Sequence, residues 1–409
     1  MKKLLIVSPQ NPYPPIDGGK IGIYYPLVYL SRYFKIYFIC PISPLSYKDD
    51  ICKAVEHLKS FGVEPFLILH NTSDSIVRVI SNIFADEPFK WAKYFSRKIL
   101  KTAEELIKAE NIENCWISSP HMFKYGLYLK DKYDIKIFLR EHNIEYELVR
   151  QFLNLNRNPA IKPIALWQYL KTKNLEKYYW SKADKTFFIS DLDYKIATDT
   201  CPEASNKFEI LYDGVEAGNY VNCDIEDKSI IYTADFKTIQ NKKSFIWFIK
   251  NIWIKAYKEL CNFKLYVTGN HEGLIERVLN MSEKELKHLN IIDLGFVEDI
   301  NSVLSSKKYV LSPTIIGSGI RLKLISGMDL GKVCFCTPLD IQTCPHFMDM
   351  ENLVLFSSSG EFLTKIKIIE ESNELYGNIG EKARELIRMH FSWDAYAEMA
   401  AEKLKDIIK

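Results

Sequence analysis

Three short segments of this sequence carry residue types whose spacing suits chemistry. In the first, Pro12-Tyr13-Pro14-Pro15-Ile16-Asp17-Gly18-Gly19-Lys20, two adjacent glycines lie between an apolar run and a helical pattern. Glycines at a strand-to-helix turn let main-chain amides approach a ligand closely, and a helix amino end favours a phosphate or a carboxylate. The spacing is not G-x-G-x-x-G, so it does not support a dinucleotide site, and a ligand-free Gly-Gly turn is the competing reading. In the second segment, Gly317-Ser318-Gly319-Ile320-Arg321-Leu322-Lys323, the spacing predicts a helix opened by the Gly-Ser-Gly group, with two cations in its first turns. Cations there oppose the helix dipole. An anion held by the amides and the cations together, such as a diphosphate, resolves that conflict; a solvated basic helix start is the alternative. The third segment, Arg140-Glu141-His142-Asn143-Ile144-Glu145, follows an apolar run and so falls at the carboxyl end of a strand. Such side chains hydrogen-bond sugar hydroxyls, and His142 is also able to move a proton, against the plainer alternative of a structural histidine.

These segments need a scaffold, and the apolar runs supply it. Short β-rich stretches recur at residues 4–8, 36–40, 66–69, 115–118, 135–139, 185–189 and 209–211, with helical patterns between them. Strands that are apolar throughout and alternate with helices predict a parallel sheet covered on both faces. The same grammar restarts after Asp213-Gly214, with strands at 230–233, 264–268, 291–294, 309–312, 333–336 and 353–356. The expectation is an α/β protein of two tandem Rossmann-like, doubly wound domains, residues 1–212 and 213–391, with ligands bound at the carboxyl ends of their strands in a cleft. The last segment, 392–409, places Trp393, Tyr396, Ala400, Leu404 and Ile407 at helical spacing behind Ser392 as N-cap, which predicts an amphipathic closing helix.

Composition agrees with two large cores and excludes other classes. The 409 residues are 47% hydrophobic and 13% aromatic, which rules out a disordered chain or a small disulfide-stapled module. A balance of 54 basic against 52 acidic residues is too even for general attraction to nucleic acid, although the chain up to Ile210 carries +6 and the remainder −4. No apolar run approaches the ~20 residues of a spanning helix, and Leu4-Leu5-Ile6-Val7 is too short for a secretory signal, so cytoplasmic residence is expected. Nine scattered cysteines suit reduced thiols, and Cys334-Phe335-Cys336 alternates like a buried strand rather than a zinc motif.

Taken in order, the motifs resemble the family 4 retaining glycosyltransferases of the GT-B fold. The bacterial branch of that family carries an N-terminal P-Y-P-P-x-x-G-G, a central H-N-x-E and a G-S-G-I-R-L-K loop, here at Pro12–Gly19, His142–Glu145 and Gly317–Lys323. Ser190 after Phe187-Phe188-Ile189, Asp213-Gly214-Val215, Gly295-Phe296-Val297-Glu298-Asp299 and Phe391-Ser392-Trp393 add further matches along the whole chain. The resemblance implies that Gly18 and Gly19 face the donor phosphate and reacting sugar. It further implies that His142 contacts the transferred sugar, with Glu141, Asn143 and Glu145 on the acceptor side. Gly317, Ser318, Gly319 and Ile320, with Arg321 and Lys323, would hold the diphosphate, while Val297 meets the base. The closing helix would cross back onto the first domain. By the same resemblance no metal or other cofactor is needed, because fixed cations and helix amides stabilise the leaving nucleoside diphosphate on a front-face path.

One position departs from the family. Two glutamates usually stand eight residues apart around the helix after the G-S-G loop, the later one on the nucleotide ribose; here Ser318 and Ser326 occupy those places. Ser326 removes a charged acceptor and weakens or changes the ribose contact. The expected function is transfer of a sugar, with retention, from a nucleoside diphosphate sugar to a saccharide or lipid-linked saccharide in surface polysaccharide assembly. The alternatives are a non-catalytic GT-B protein that binds nucleotide sugar weakly or supports a partner enzyme, and, ranked last, a sugar-nucleotide epimerase. Residues 88–108 raise a further question, because Trp91, Phe95, Ile99, Ala103 and Leu106 form an apolar stripe beside Lys90, Lys93, Arg97 and Lys101. That pattern fits either a helix lying on anionic lipid, at the inner face of the cytoplasmic membrane, or a core-facing stripe with a solvated basic side.

Overall fold

In the computed structural model, which describes residues 1–46, 48–73, 82, 87–155, 162–218, 223–269 and 273–405, the first apolar run forms strand β1 (Lys2–Val7), with Leu4 to Val7 all buried. Burial on both faces requires helices on both sides, and each neighbour of β1 runs parallel to it. The first sheet has seven strands in the order β3-β2-β1-β4-β5-β6-β7, with β2 at Phe34–Ile42, β3 at Val63–Leu69, β4 at Asn114–Ile117, β5 at Lys136–Glu141, β6 at Lys185–Phe188 and β7 at Phe208–Ile210. The second has six, β10-β9-β8-β11-β12-β13, with β8 at Glu226–Thr233, β9 at Lys264–Thr268, β10 at Ile291–Asp293, β11 at Lys307–Ser312, β12 at Val333–Cys336 and β13 at Val354–Leu355. Every strand expected from the sequence is present, and all pairs are parallel.

In both sheets the chain winds outward from one central strand and then returns to its other side. The winding reverses between β1 and β4 in the first sheet and between β8 and β11 in the second. The two sheets belong to two compact units, Met1–Tyr212 with the chain from Tyr396 onward, and Asp213–Ala395. Within the first unit, Arg140 lies over the Tyr396 ring at 4.8 Å and Lys403 pairs with Glu209 at 2.7 Å, which fixes the last helix there. That helix spans Trp393–Lys405, with the Ser392 hydroxyl accepting from the Ala395 amide at 3.1 Å; Ile407 and the rest of 406–409 lie outside the described residues. Gly214 is the second residue of the second unit, and a side chain there would meet the Ser392 and Trp393 backbone at 2.8 Å.

Two local expectations change. Residues 88–108 form no single helix: a short turn at Phe89–Ala92 is followed by the helix Arg97–Glu110. The break is held by Tyr125, whose hydroxyl accepts from the Ser96 amide at 2.6 Å and donates to the Tyr94 carbonyl at 2.8 Å. Trp91, Ile99 and Ala103 are buried in the core of the first unit, and Ile107 rather than Leu106 completes the buried face, so this stripe is not available to lipid. The second change concerns Gly317 to Gly319. The helix begins only at Leu322 (Leu322–Asp329), and the glycines lie in the loop before it, buried rather than exposed.

Candidate functional site

In open parallel sheets, ligands bind beyond the carboxyl ends of the strands at the point where the winding reverses. In the second unit that point is flanked by the loops after β8 and β11. The loop after β11 is shaped by its glycines: Gly317 has φ +112°, a conformation natural to glycine, and a Cβ there would stand 2.2 Å from a guanidinium nitrogen of Arg321. Arg321 therefore folds back over its own loop. Its Nε stands 3.5 Å from an Asp340 carboxylate oxygen, and its Nη2 is 3.5 Å from the Ile316 carbonyl. The loop is tied down by Ile315, whose amide donates to Ser244 at 3.2 Å, and by Thr337, whose hydroxyl donates to the Thr314 carbonyl.

Lys323 comes to the same place from the helix. Its Nζ lies 4.2 Å from the centre of the Tyr232 ring, at the end of β8, and 3.3 Å from the Asn241 side-chain oxygen. Burial, with repulsion from Arg321, pulls its ammonium down to about 7, against a smaller upward pull from Asp340. Asp340, fully buried at the start of the short helix Pro338–Ile341 after β12, is pushed above the usual carboxylate range by burial, while Arg321 and the hydroxyls of Ser312 and Thr314 pull the other way. Two cations and one anion thus converge at the carboxyl edge of β8, β11 and β12. Ser318 and Ile320 are buried in the loop. Val297, beyond β10, is half-buried in a loop that Thr268 anchors by donating to the Gly295 carbonyl at 2.7 Å. Ser326 is half-buried in the middle of the helix, and the acid one turn on, Asp329, accepts from the Gly218 amide at 3.3 Å.

The corresponding edge of the first unit carries different chemistry. Gly18 and Gly19 are exposed and form the first turn of the helix Gly18–Leu30, not a turn ahead of it; Asp17 caps that helix by accepting from the Lys20 amide at 2.9 Å. A Cβ on Gly19 would meet only the side-chain ends of Gln10 and Asp17, at 3.2 and 3.3 Å. His142 and Asn143 follow β5, half-buried, and Glu145 opens the helix Glu145–Leu155. Glu176 accepts from the Glu145 and Tyr146 amides at 2.8 and 3.0 Å and so caps that helix from the long helix Lys162–Lys182.

Glu141 does not join this edge. It is fully buried, accepts from the Trp180 indole at 2.9 Å, and is pushed well above the carboxylate range by burial, with Glu145 and Asp193 adding repulsion. Its neighbours in the chain misled the sequence reading, because motif membership says nothing of which way a strand residue faces. In its place stands His121, which the sequence reading missed. It lies just beyond β4, with its Nδ1 2.6 Å from the Ser119 hydroxyl and its Nε2 4.0 Å from Glu145. Burial lowers its pKa, Glu145 opposes that, and Lys90, Lys93 and His142 reinforce it, which keeps the imidazole neutral near pH 7. The usable signal was position: His121 follows β4, which flanks the winding reversal.

Comparison with known proteins agrees with this architecture. Residues 227–370, about the core of the second unit, match the family of glycosyl transferases group 1. A curated relative, the uncharacterized 44.6 kDa protein in the cps region of Klebsiella pneumoniae, is 20% identical over 341 residues, covering 80% of this chain and 81% of its own. Among solved structures, a glycosyltransferase from Rickettsia africae superposes with a TM-score of 0.65 at 15% identity over 100% of this chain and 99% of its own. Sucrose-phosphate synthase from Thermosynechococcus elongatus gives 0.69 at 11% over 99% of each chain, and HepE of Anabaena, solved with UDP-glucose, gives 0.65 at 12% over 100% of each. The chain therefore has the GT-B fold, and its second unit carries the match to the group 1 glycosyl transferases.

Proposed function

We propose that this protein is a retaining glycosyltransferase that moves a sugar from a nucleoside diphosphate sugar to a saccharide or lipid-linked saccharide acceptor. The observation that carries the reading is the convergence of Arg321 and Lys323 at the winding reversal of the second unit, inside the stretch that matches the group 1 transferases. Leaving of a nucleoside diphosphate develops negative charge on the bridging oxygen, and preorganised cations in a buried site stabilise it without reorganisation. These side chains take the part a metal plays elsewhere, so the proposal includes no metal. HepE binds UDP and UDP-glucose, which makes a UDP-sugar the first donor to test. The cps-region relative supports surface polysaccharide as the product class, and the free thiols support a reducing cytoplasm.

On the first unit, Gly19 and His142 take the sugar side, with Asn143, Glu145 and the neutral His121 around them. The departing phosphate receives the proton of the acceptor hydroxyl on the same face. Glu141 is left out of this reading because its carboxyl is engaged with Trp180. A second reading, a non-catalytic nucleotide-sugar binder, is favoured by one observation, Ser326 at the position where the family's ribose-binding glutamate is expected. Both are tested by calorimetry against UDP, GDP, dTDP, ADP and CMP and their sugars, followed by donor hydrolysis and product anomer analysis in EDTA. Binding with slow hydrolysis that survives EDTA supports the transferase; binding without turnover supports the second reading; turnover that requires a metal or inverts the anomer overturns the mechanism.

A further inference from the structure

Arg321 already has an anion. Asp340 projects from the start of the helix after β12, fully buried, with one oxygen 3.5 Å from Arg321 Nε. With Lys323 protonated, the cluster of two cations and a carboxylate therefore carries one net positive charge, not the two that the basic loop alone suggests. The groups facing Asp340 are Arg321 from the loop after β11, Lys323 from the helix that follows, the hydroxyls of Ser312 and Thr314 at and just beyond the end of β11, Tyr232 from β8 and Cys336 from β12. No further cation is placed there among the described residues to balance it. We propose that Asp340 is an internal competitor for the donor diphosphate, holding Arg321 until the diphosphate takes the guanidinium from it. This rests on the donor reading above.

The physical argument is charge balance in a dry place. A guanidinium only 18% exposed and without a counter-ion is costly, so the protein without its donor is served by a carboxylate at contact distance. A bound diphosphate supplies that counter-charge itself, and Asp340 then becomes a like charge beside it. The position therefore sets an electrostatic threshold that an incoming anion must cross to take the guanidinium. Deleting the carboxylate's charge while keeping its shape lowers that threshold. The neutral variant also lets Lys323 lose its proton more readily, which reduces the gain above pH 7 but does not reverse it, since at most part of one positive charge is lost for a full negative charge removed.

The test is Asp340→Asn in the full chain, read by calorimetry at pH 6.5 with inorganic pyrophosphate and with UDP. About a tenfold tighter Kd for both, as expected for removing a like charge within several ångströms of the site, supports the inference; a damaged fold would weaken binding instead. Tightening for pyrophosphate with no UDP binding by either protein supports the counter-ion role and sinks the nucleotide-donor reading. UDP bound equally or more weakly by a folded variant overturns the inference and leaves the donor reading standing. Binding of neither ligand by the wild type overturns both. Should Asp340→Asn fail to fold, the wild type decides by the 15N resonance of Arg321 Nε, assigned through Arg321→Lys: a shift on adding UDP is expected, and an unmoved resonance overturns the competition.

Discussion

The two units share one winding scheme and spend it on different side chains. At its winding reversal the second unit gathers Arg321 and Lys323 around one carboxylate, whereas the first gathers imidazoles at the edge and three buried acids, Glu141, Glu176 and Asp193, behind them. Each acid has a partner within the unit: Glu176 caps a helix, Asp193 accepts from Ser190, and one oxygen of Glu141 accepts from Trp180 while its other oxygen is buried without a hydrogen bond among the described residues. The two cations of the second unit share one buried acid between them. A parallel sheet thus fixes where a site falls but not its polarity, and the unit with uncompensated charge is the one expected to hold a charged ligand.

The sharpest way to break this contrast is to remove the cation. Arg321→Ala should weaken binding of UDP-glucose, or whichever nucleotide sugar the panel identifies, by a hundredfold or more, on the order of the 1.5–3 kcal/mol of a charged hydrogen bond plus the loss of its long-range attraction. Asp340, then buried without its counter-ion, should lower the melting temperature of the folded variant, and less at low pH where it takes up a proton; unchanged affinity would refute the assignment. Gly317→Ala should match that loss by a different route, because its Cβ would stand where the guanidinium lies and its φ of +112° is unsuited to alanine. If Gly317→Ala binds normally, Arg321 does not act from the position it holds here.

Next in size is a pH effect. Lys323 is pulled down to about 7, and an anion favours its charged form. Above pH 7 the ammonium must therefore be recharged on binding, so nucleotide-sugar affinity should fall by up to about tenfold per pH unit between 7 and 9. The diphosphate of a nucleotide sugar does not titrate in that range, so the slope reports the protein. Lys323→Met should bind weakly at pH 6 and show a flat profile; a wild-type affinity that does not change between pH 7 and 9 would show that Lys323 does not meet the phosphate.

The glycine pair offers the same contrast at smaller scale. Gly19→Ala meets only movable side-chain ends and sits in the first turn of a helix, where alanine is at least as stable, so the fold should be unaffected. A loss of turnover of about tenfold, with UDP affinity unchanged, would then mean that a substrate approaches the first unit there. Equal turnover would return Gly18-Gly19 to the status of a helix start and nothing more.

How much of this was legible beforehand follows the same physics. The strands were readable because burial on both faces demands uninterrupted apolar runs, and the Arg321–Lys323 pair because charge at a helix start is costly. His121 and Asp340 were not. Each lies alone in its segment, Asp340 disguised as the ordinary acidic first turn of a helix opened by Pro338, and only strand order brings them to the sites. Glu141 differs in the other direction: a motif suggests a sugar-side role, and the fold buries the carboxyl against Trp180. The sequence showed the Arg321–Lys323 conflict and sought an external anion for it; the fold answers with Asp340, an anion 19 residues along the chain.

The smallest effect tests whether the acids of the first unit are structural. Glu141 is raised well above its unfolded value by burial, so the folded unit holds its proton to higher pH than the unfolded chain does. Stability from this group is fully present below about pH 4.5 and is lost as pH rises toward the folded pKa, since the unfolded state then binds fewer protons. Glu141→Gln removes that loss and retains an acceptor for the Trp180 indole. Its melting temperature should therefore equal the wild type's near pH 4 and exceed it by a few degrees at pH 8, about 2–4 °C per kcal/mol for a unit of this size. Turnover should be unchanged, because the carboxyl faces the core. A variant that melts normally at both pH values but loses turnover would restore Glu141 to the sugar side and erase the distinction drawn between the two units.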